Sequence, residues 1–375
     1  MSFADALEAS QPIPAEWQVR SEWDGESGSV TTGLIEPTEK HEDLLRQFDY
    51  DPEKVQIVGT VNQWRKQVAD GSWRISYFFK VQSKEKMLDL PALYGASAKL
   101  PRKATKAPVS GRVTVVVLAD VQAGKVGSRG GTPELIERLA DTRIRLAAHL
   151  KERRPESTVL AEAGDIFEGF NSGGNPMFTN DLSLAQQMDM ASTEIYEFIK
   201  TLAPHGRVDV LGVPSNHTQW RNGKQALGRP GDDLGLLCHQ QVSKVTEAAG
   251  IDAVWHVPGL YDEAVTHNVN GTVLGMVHGN QYSPGAAPLW WAKQQHGGQP
   301  IGAADILISG HFHNLIVMPT GRNPHTGRSK YWLQAPTLDN SSDWYRNLAG
   351  DDSDPGLLVF DVDSNGLDLQ SLTVL

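Results

Sequence analysis

The feature that most restricts how this chain can fold begins at Arg112. From there, short apolar, β-branched runs alternate with longer amphipathic stretches. Val113-Thr114-Val115-Val116-Val117-Leu118 opens the series and reads as a buried strand. A glycine-rich loop leads to Thr132-Pro133-Glu134, a helix start with Thr132 as N-cap and proline at the first helical position. That helix is expected to run to about Lys151. Strands at 158–163 and 208–213 and helices at 182–202 and 234–249 follow. The chain then turns strand-rich, with runs at 273–277, 306–308, 315–318, 331–334 and 357–362. A βαβαβ half followed by an antiparallel-leaning half predicts an α/β fold of two packed mixed sheets with helices outside.

The ends of these strands carry polar groups that a core would not keep. The first ends in Asp120-Val121-Gln122, the second in Gly164-Asp165-Ile166-Phe167-Glu168-Gly169, the third in Asn216-His217. Later strands end in His278-Gly279 and in Gly310-His311-Phe312-His313. On an extended backbone alternate side chains share a face, so His311 and His313 are expected to point the same way. In open α/β sheets the carboxyl ends of the strands converge on one crevice. Carboxylate, amide and imidazole groups meeting there form a mixed nitrogen and oxygen site suited to divalent metals.

Ahead of this half, residues 1–20 read as a flexible tail and 21–85 as a small α+β module. The module holds a helix near 39–48 and strands at 55–66 and 73–82, joined by a turn at Ala69-Asp70-Gly71-Ser72. Residues 86–111 read as a basic linker containing Lys99, Arg102, Lys103 and Lys106, and 112–375 as the α/β half. Charge follows these divisions. The net charge is −11 overall, with 9 basic and 15 acidic residues in 1–85, 5 and 1 in 86–111, and 20 and 29 in 112–375. So acidic a protein is a poor non-specific coat for nucleic acid, though acidity does not argue against cutting it. No apolar run is long enough to span a bilayer. The lone Cys238 excludes an intrachain disulfide and points to a reducing, cytoplasmic setting.

D-x-Q, G-D-x-x-E-G, N-H, H-G and G-H-x-H, in that order and each after a strand, resemble the calcineurin-like metallophosphoesterase superfamily over residues 112–375. The resemblance implies a four-layer α/β/β/α sandwich and a centre of two divalent metal ions. Mn²⁺ is the first expectation, and Mg²⁺, Fe²⁺ or Zn²⁺ are the other ions considered. Asp165 would bridge the ions; Asp120, Gln122 and His313 would complete one site, and Asn216, His278 and His311 the other. His217 would act beside the scissile phosphate as a general acid. Two cations would hold the phosphate for in-line attack.

Gln122 departs from the family pattern, which has histidine there. An amide oxygen is a weaker, harder donor than an imidazole nitrogen, so a looser first site is expected, or loss of one ion if Gln122 does not ligate. Lys125, Arg129 and Arg221, in loops after the metal blocks, are candidates to contact substrate. The arrangement looks closer to Mre11/SbcD-type DNA nucleases and to bacteriophage-encoded metallophosphoesterases than to protein phosphatases. It implies a phosphodiester substrate, DNA first, with a homodimer or other DNA-processing proteins as partners and no membrane. Two further readings stay open: a small-molecule phosphodiesterase or phosphatase, and a binding protein with a degenerate metal site.

Overall fold

The computed structural model describes residues 18–24, 27–38, 40–68, 71–84, 111–170, 180–222, 225–341, 346–347, 350 and 354–375. The chain divides into two units, Met1–Leu88 and Asp89–Leu375. The basic linker, most of the tail and the Ala69-Asp70 turn lie outside the described residues.

In the first unit, β1 (Arg20–Trp23), β2 (Ser27–Thr31), α1 (His41–Gln47), β3 (Val55–Gln67) and β4 (Trp73–Ser83) follow in order. The four strands form an antiparallel sheet ordered β1-β2-β4-β3. Period-2 alternation on β4 puts Ile75, Tyr77, Phe79 and Val81 on one buried face, packed with Leu44 and Leu45 of α1. The sequence reading missed β1 and β2. Ser27-Gly28-Ser29-Val30-Thr31 offers a single apolar side chain, Val30, so no alternation was there to find.

The second unit contains β5 (Val113–Leu118), α2 (Thr132–Arg153), β6 (Ser157–Glu162), α3 (Leu184–Leu202), β7 (Val208–Gly212), the short pair β8 (Arg221–Asn222) and β9 (Gln225–Ala226), and α4 (Leu234–Ala248). It continues with β10 (Ala253–His256), β11 (Ala264–Val269), β12 (Thr272–Val277), α5 (Ala287–His296), β13 (Ile306–Ser309), β14 (Ile316–Arg322), β15 (Ser329–Gln334), β16 (Leu358–Asp363) and β17 (Gly366–Val374). One mixed sheet runs β10-β7-β6-β5-β16-β17, and the other β11-β12-β13-β15-β14. Strands β5, β6, β7 and β10 are parallel, as are β12, β13 and β15.

Alternation decides which layer each side chain joins. Val113, Val115 and Val117 of β5 meet Ile306 and Ile308 of β13 in a core between the sheets. Leu307 faces the other way, onto Trp291 of α5 and Trp332. Each such fully buried aliphatic side chain is worth roughly 1.5–3 kcal/mol over leaving it exposed. Helices α3 and α4 pack on the first sheet, and Arg153 of α2 binds Asp361 of β16, its Nε 2.7 Å from Oδ2. The result is a four-layer α/β/β/α sandwich of two mixed sheets.

Some local expectations are corrected. Gly131, not Thr132, is the N-cap of α2; Thr132 lies inside the helix and gives its N–H and hydroxyl to Asp181. The two halves of the sequence also do not map onto the two sheets, because β16 and β17 return to the first sheet beside β5.

Candidate metal centre

The residues quoted from the strand ends do arrive together, but not by simple alternation. Strand β13 stops at Ser309, and His311 and His313 both have left-handed backbone, with φ of 71° and 62°. The expectation that they share one face of a strand is therefore wrong. Asp120, Gln122 and Asp165 are left-handed too, with φ of 50°, 47° and 51°. Such conformations cost a non-glycine residue on the order of 1–3 kcal/mol each, and cluster where surrounding structure fixes a functional geometry.

Asp165, His278 and His311 each present a ligand atom, and these atoms lie within 4.8 Å of one another. His278 donates Nδ1–H to the carbonyl of Ala163 at 2.8 Å, which turns its Nε2 inward. That Nε2 is 3.0 Å from Oδ2 of Asp165, 2.9 Å from Oδ1 of Asn216 and 3.2 Å from Nδ1 of His311. Two oxygens and two ring nitrogens thus face one another in a buried space, an arrangement that repels itself unless positive charge sits among them. The charges around the cluster make the same demand. Burial opposes a charge on His278, yet Asp165 outweighs it and pushes that imidazole up to about 9. Burial and His278 together push His311 down to about 4. Asp165 is held well below the usual carboxylate range: burial would raise it, but His217, His278 and His311 prevail. The donor set of one carboxylate, one amide and two imidazoles fits a divalent cation of intermediate hardness.

His217 stands at the rim of this cluster. Its backbone N–H donates to Oδ1 of Asp165 at 3.0 Å, and Nδ1–H donates to the carbonyl of Glu168 at 2.8 Å. Its Nε2 is left facing the centre, 3.7 Å from Oδ2 of Asp165 and 3.4 Å from Nε2 of Gln122. Burial disfavours a proton there, but Asp165 and Glu168 push the imidazole up to about 9.

The residues expected to form the other half are arranged differently. His313 Nε2 lies 3.3 Å from Oδ1 of Asp120, while its Nδ1 is 3.5 Å from Oδ2 of Asp339. Both oxygens of Asp120 accept the backbone N–H of His311, at 3.1 and 2.9 Å. Lys125, expected in an exposed loop facing substrate, is instead buried against Asp339 and Gln122. Among the other substrate candidates, Arg129 is half-buried. Arg221 donates from Nη1 to the carbonyl of Asn216 at 2.9 Å, bracing the loop that carries Asn216 and His217.

The sequence reading missed Asp339 and gave no role to Glu168, both fully buried. Asp339 follows β15 as Asp120 follows β5, so the strand-end rule could have found it; the segment Ala335-Pro336-Thr337-Leu338 hid the connection. A second group of donors, Asp209, His256 and His267, lies away from these residues on β7, β10 and β11. There Arg207 already meets the carboxylate, Nη2 to Oδ1 at 2.6 Å, and the two imidazole rings stack with centroids 3.9 Å apart. It is read as an ion-pair cluster at a sheet edge.

Close approach explains one glycine. A Cβ on Gly310 would lie 2.4 Å from Oδ2 of Asp120, an oxygen already fixed by the His311 N–H. Gly310→Ala is expected to keep the fold, since the residue follows the end of β13, but to displace Asp120 and His311. Metal affinity measured by calorimetry should fall at least about tenfold, a modest 1.4 kcal/mol. Unchanged affinity would mean that this carboxylate does not shape the centre.

No protein-family model matches the chain, and neither does any curated protein sequence. Solved structures similar to it include wild-type Vps29 complexed with zinc, from Entamoeba histolytica. That chain is 14% identical, and the match covers 70% of this chain and 97% of Vps29 at a TM-score of 0.31. Another is a conserved uncharacterized protein, a predicted phosphoesterase from Streptococcus pneumoniae TIGR4, 12% identical over 71% of this chain and 99% of that one, at a TM-score of 0.28. Likeness at this level leaves the chemistry to be read from the side chains.

Proposed function

We propose that the chain is a metal-dependent phosphoesterase that hydrolyses phosphodiester bonds, with nucleic-acid diesters as its substrate class. The observation that carries this is the inward convergence of Asp165, Asn216, His278 and His311, with Nε2 of His217 at its rim. A divalent cation held by those four side chains supplies Lewis-acid stabilisation of the phosphoryl group. The chain's own part is orientation and proton transfer. His278 is aimed by the Ala163 carbonyl, and Asn216 is held by Arg221 through its backbone. His217, fixed by Glu168 and Asp165, holds a proton on Nε2 that it can give to the leaving oxygen.

Trp220 supports a nucleotide substrate. It follows His217 by three residues and is 56% exposed, which offers a stacking face to a base beside the centre. A small nucleotide diester is kept as a second reading on a specific ground. With Lys125 buried and Arg221 engaged by Asn216, the loops round the centre bring fewer cations to a polyanion than the sequence suggested.

The test is hydrolysis by the full chain with Mn²⁺, offered bis-p-nitrophenyl phosphate, a cyclic nucleotide, and single- and double-stranded DNA. Cleavage of the chromogenic diester together with either DNA is the expected result. Cleavage of the chromogenic diester and the cyclic nucleotide alone would replace the nuclease reading with the second. Hydrolysis of none of them would remove the phosphoesterase proposal and favour a binding protein.

A further inference from the structure

A lysine inside the candidate centre is left unexplained by a two-ion site. Lys125 is 5% exposed, and its ammonium lies 2.6 Å from Oδ2 of Asp339. It also donates to Oε1 of Gln122, the only atom with which Gln122 could ligate an ion. The lysine is firmly placed. Its own N–H donates to the Gln122 carbonyl at 3.0 Å, and its carbonyl accepts from Nδ2 of Asn340 at 2.9 Å. Asp339 is equally fixed, since Oδ1 accepts the Ser341 N–H at 2.9 Å and Arg138 Nη1 holds the Leu338 and Asp339 carbonyls at 2.9 and 3.1 Å.

The other donors of the first position are committed around the same lysine. His313 bridges Asp120 and Asp339, and both Asp120 oxygens take the His311 N–H. Oε1 of Gln122 is turned to the lysine and the two ring nitrogens of His313 face Asp120 and Asp339, whereas ligand atoms of Asp165, His278 and His311 converge within 4.8 Å of one another. The charges fit this division. Four carboxylates, Asp120, Asp165, Glu168 and Asp339, are buried here and need compensation. An ammonium on the Asp339 side compensates part of that charge permanently and repels a second cation from the same space.

We propose that the Lys125 ammonium takes the place of the first metal ion, so that the centre binds one divalent ion, at Asp165, Asn216, His278 and His311. The inference rests on reading that cluster as a metal site. It also gives Gln122 a reason. An amide oxygen accepts the lysine's hydrogen bond in every state, whereas an imidazole accepts it only when neutral and in the tautomer that turns its bare nitrogen to the ammonium. The chemistry of the first position changes with it. An ammonium neutralises charge through N–H donors but does not polarise a ligand as a Lewis acid does.

The experiment counts ions without reference to turnover. The full chain is stripped with a chelator, reloaded with Mn²⁺ and desalted. Manganese per chain is measured by mass spectrometry, and electron paramagnetic resonance reports whether two ions share the centre. Wild type should show the six-line spectrum of an isolated ion and no exchange-coupled pair. Lys125→Ala should admit a second ion at Mn²⁺ concentrations where wild type holds one, and the coupled spectrum should appear. Gln122→His alone should remain uncoupled, because Lys125 is still in place.

A coupled pair in wild type overturns the proposal. So does a folded Lys125→Ala protein that never takes a second ion. Should Lys125→Ala fail to fold with Asp339 left unpaired, the wild-type spectrum still decides. A wild type that binds no ion at all instead defeats the metal-centre reading on which the proposal rests, a distinguishable result.

Discussion

Asp165→Asn should lose hydrolysis by about 10³-fold or more, the equivalent of several kcal/mol of transition-state stabilisation that a bound cation supplies. Asp165 is the one carboxylate among the converging donors, 1% exposed, with Oδ2 3.0 Å from Nε2 of His278. The amide that replaces it keeps the shape but removes the anion that attracts the metal. Its Oδ1 can still accept the backbone N–H of His217, so the change falls on the charge and not on that support. The same variant should bind Mn²⁺ too weakly to survive desalting, measured as metal per chain. Activity above about a tenth of wild type, with the ion retained, would show that Asp165 is not the anchor.

His217→Ala should produce the second-largest loss, and of a different kind. Its imidazole reaches the centre by one nitrogen only, because Nδ1 is spent on the Glu168 carbonyl. No ring atom of His217 belongs to the converging set of donors. Removing it takes away a proton donor without removing a ligand. Turnover should fall by roughly 10²–10⁴-fold, the usual worth of a general acid, while metal content stays at the wild-type level. The loss should shrink for a diester whose leaving group needs no proton, such as p-nitrophenolate. Loss of metal in His217→Ala would make the residue a ligand, and an equal loss on every leaving group would remove its role as acid.

Much of this architecture is written in the sequence because two periodicities carry it. Alternation on 113–118 and 306–308 places Val115 and Ile308 in the core between the sheets, and the 3.6-residue pattern marks α2, α3 and α4. The rule that strand ends converge likewise gathers Asp120, Asp165, Asn216, His217, His278, His311 and His313 into one region. What it does not supply is the path of the chain after each strand. His311 and His313 leave β13 on left-handed backbone, a conformation that no periodicity encodes, and so go to different carboxylates.

Lys125 shows the same limit from the other side. In a loop written Gln122-Ala123-Gly124-Lys125, a lysine looks solvated. It is buried because Asp339, more than two hundred residues away in sequence, supplies the counter-charge. Burial alone would lower the lysine's affinity for its proton, but Asp339, Glu168 and Asp120 hold it above the ordinary lysine value. The edge strands β1, β10, β11 and β17, and β2 beside β1, were missed for a simpler reason. Half-exposed strands such as Ala253–His256 lack a clean apolar stripe.

The measurement that bears most directly on the whole reading is metal removal and return. The protein is dialysed against a chelator and assayed on bis-p-nitrophenyl phosphate. Mn²⁺ is then titrated back into wild type and Asp165→Asn in parallel. Wild type should fall to the buffer rate after chelation and recover along a saturable curve, while Asp165→Asn should stay near the buffer rate until Mn²⁺ is in large excess. Stripped wild type that hydrolyses the diester at its original rate would contradict a metal-dependent centre at Asp165, Asn216, His278 and His311.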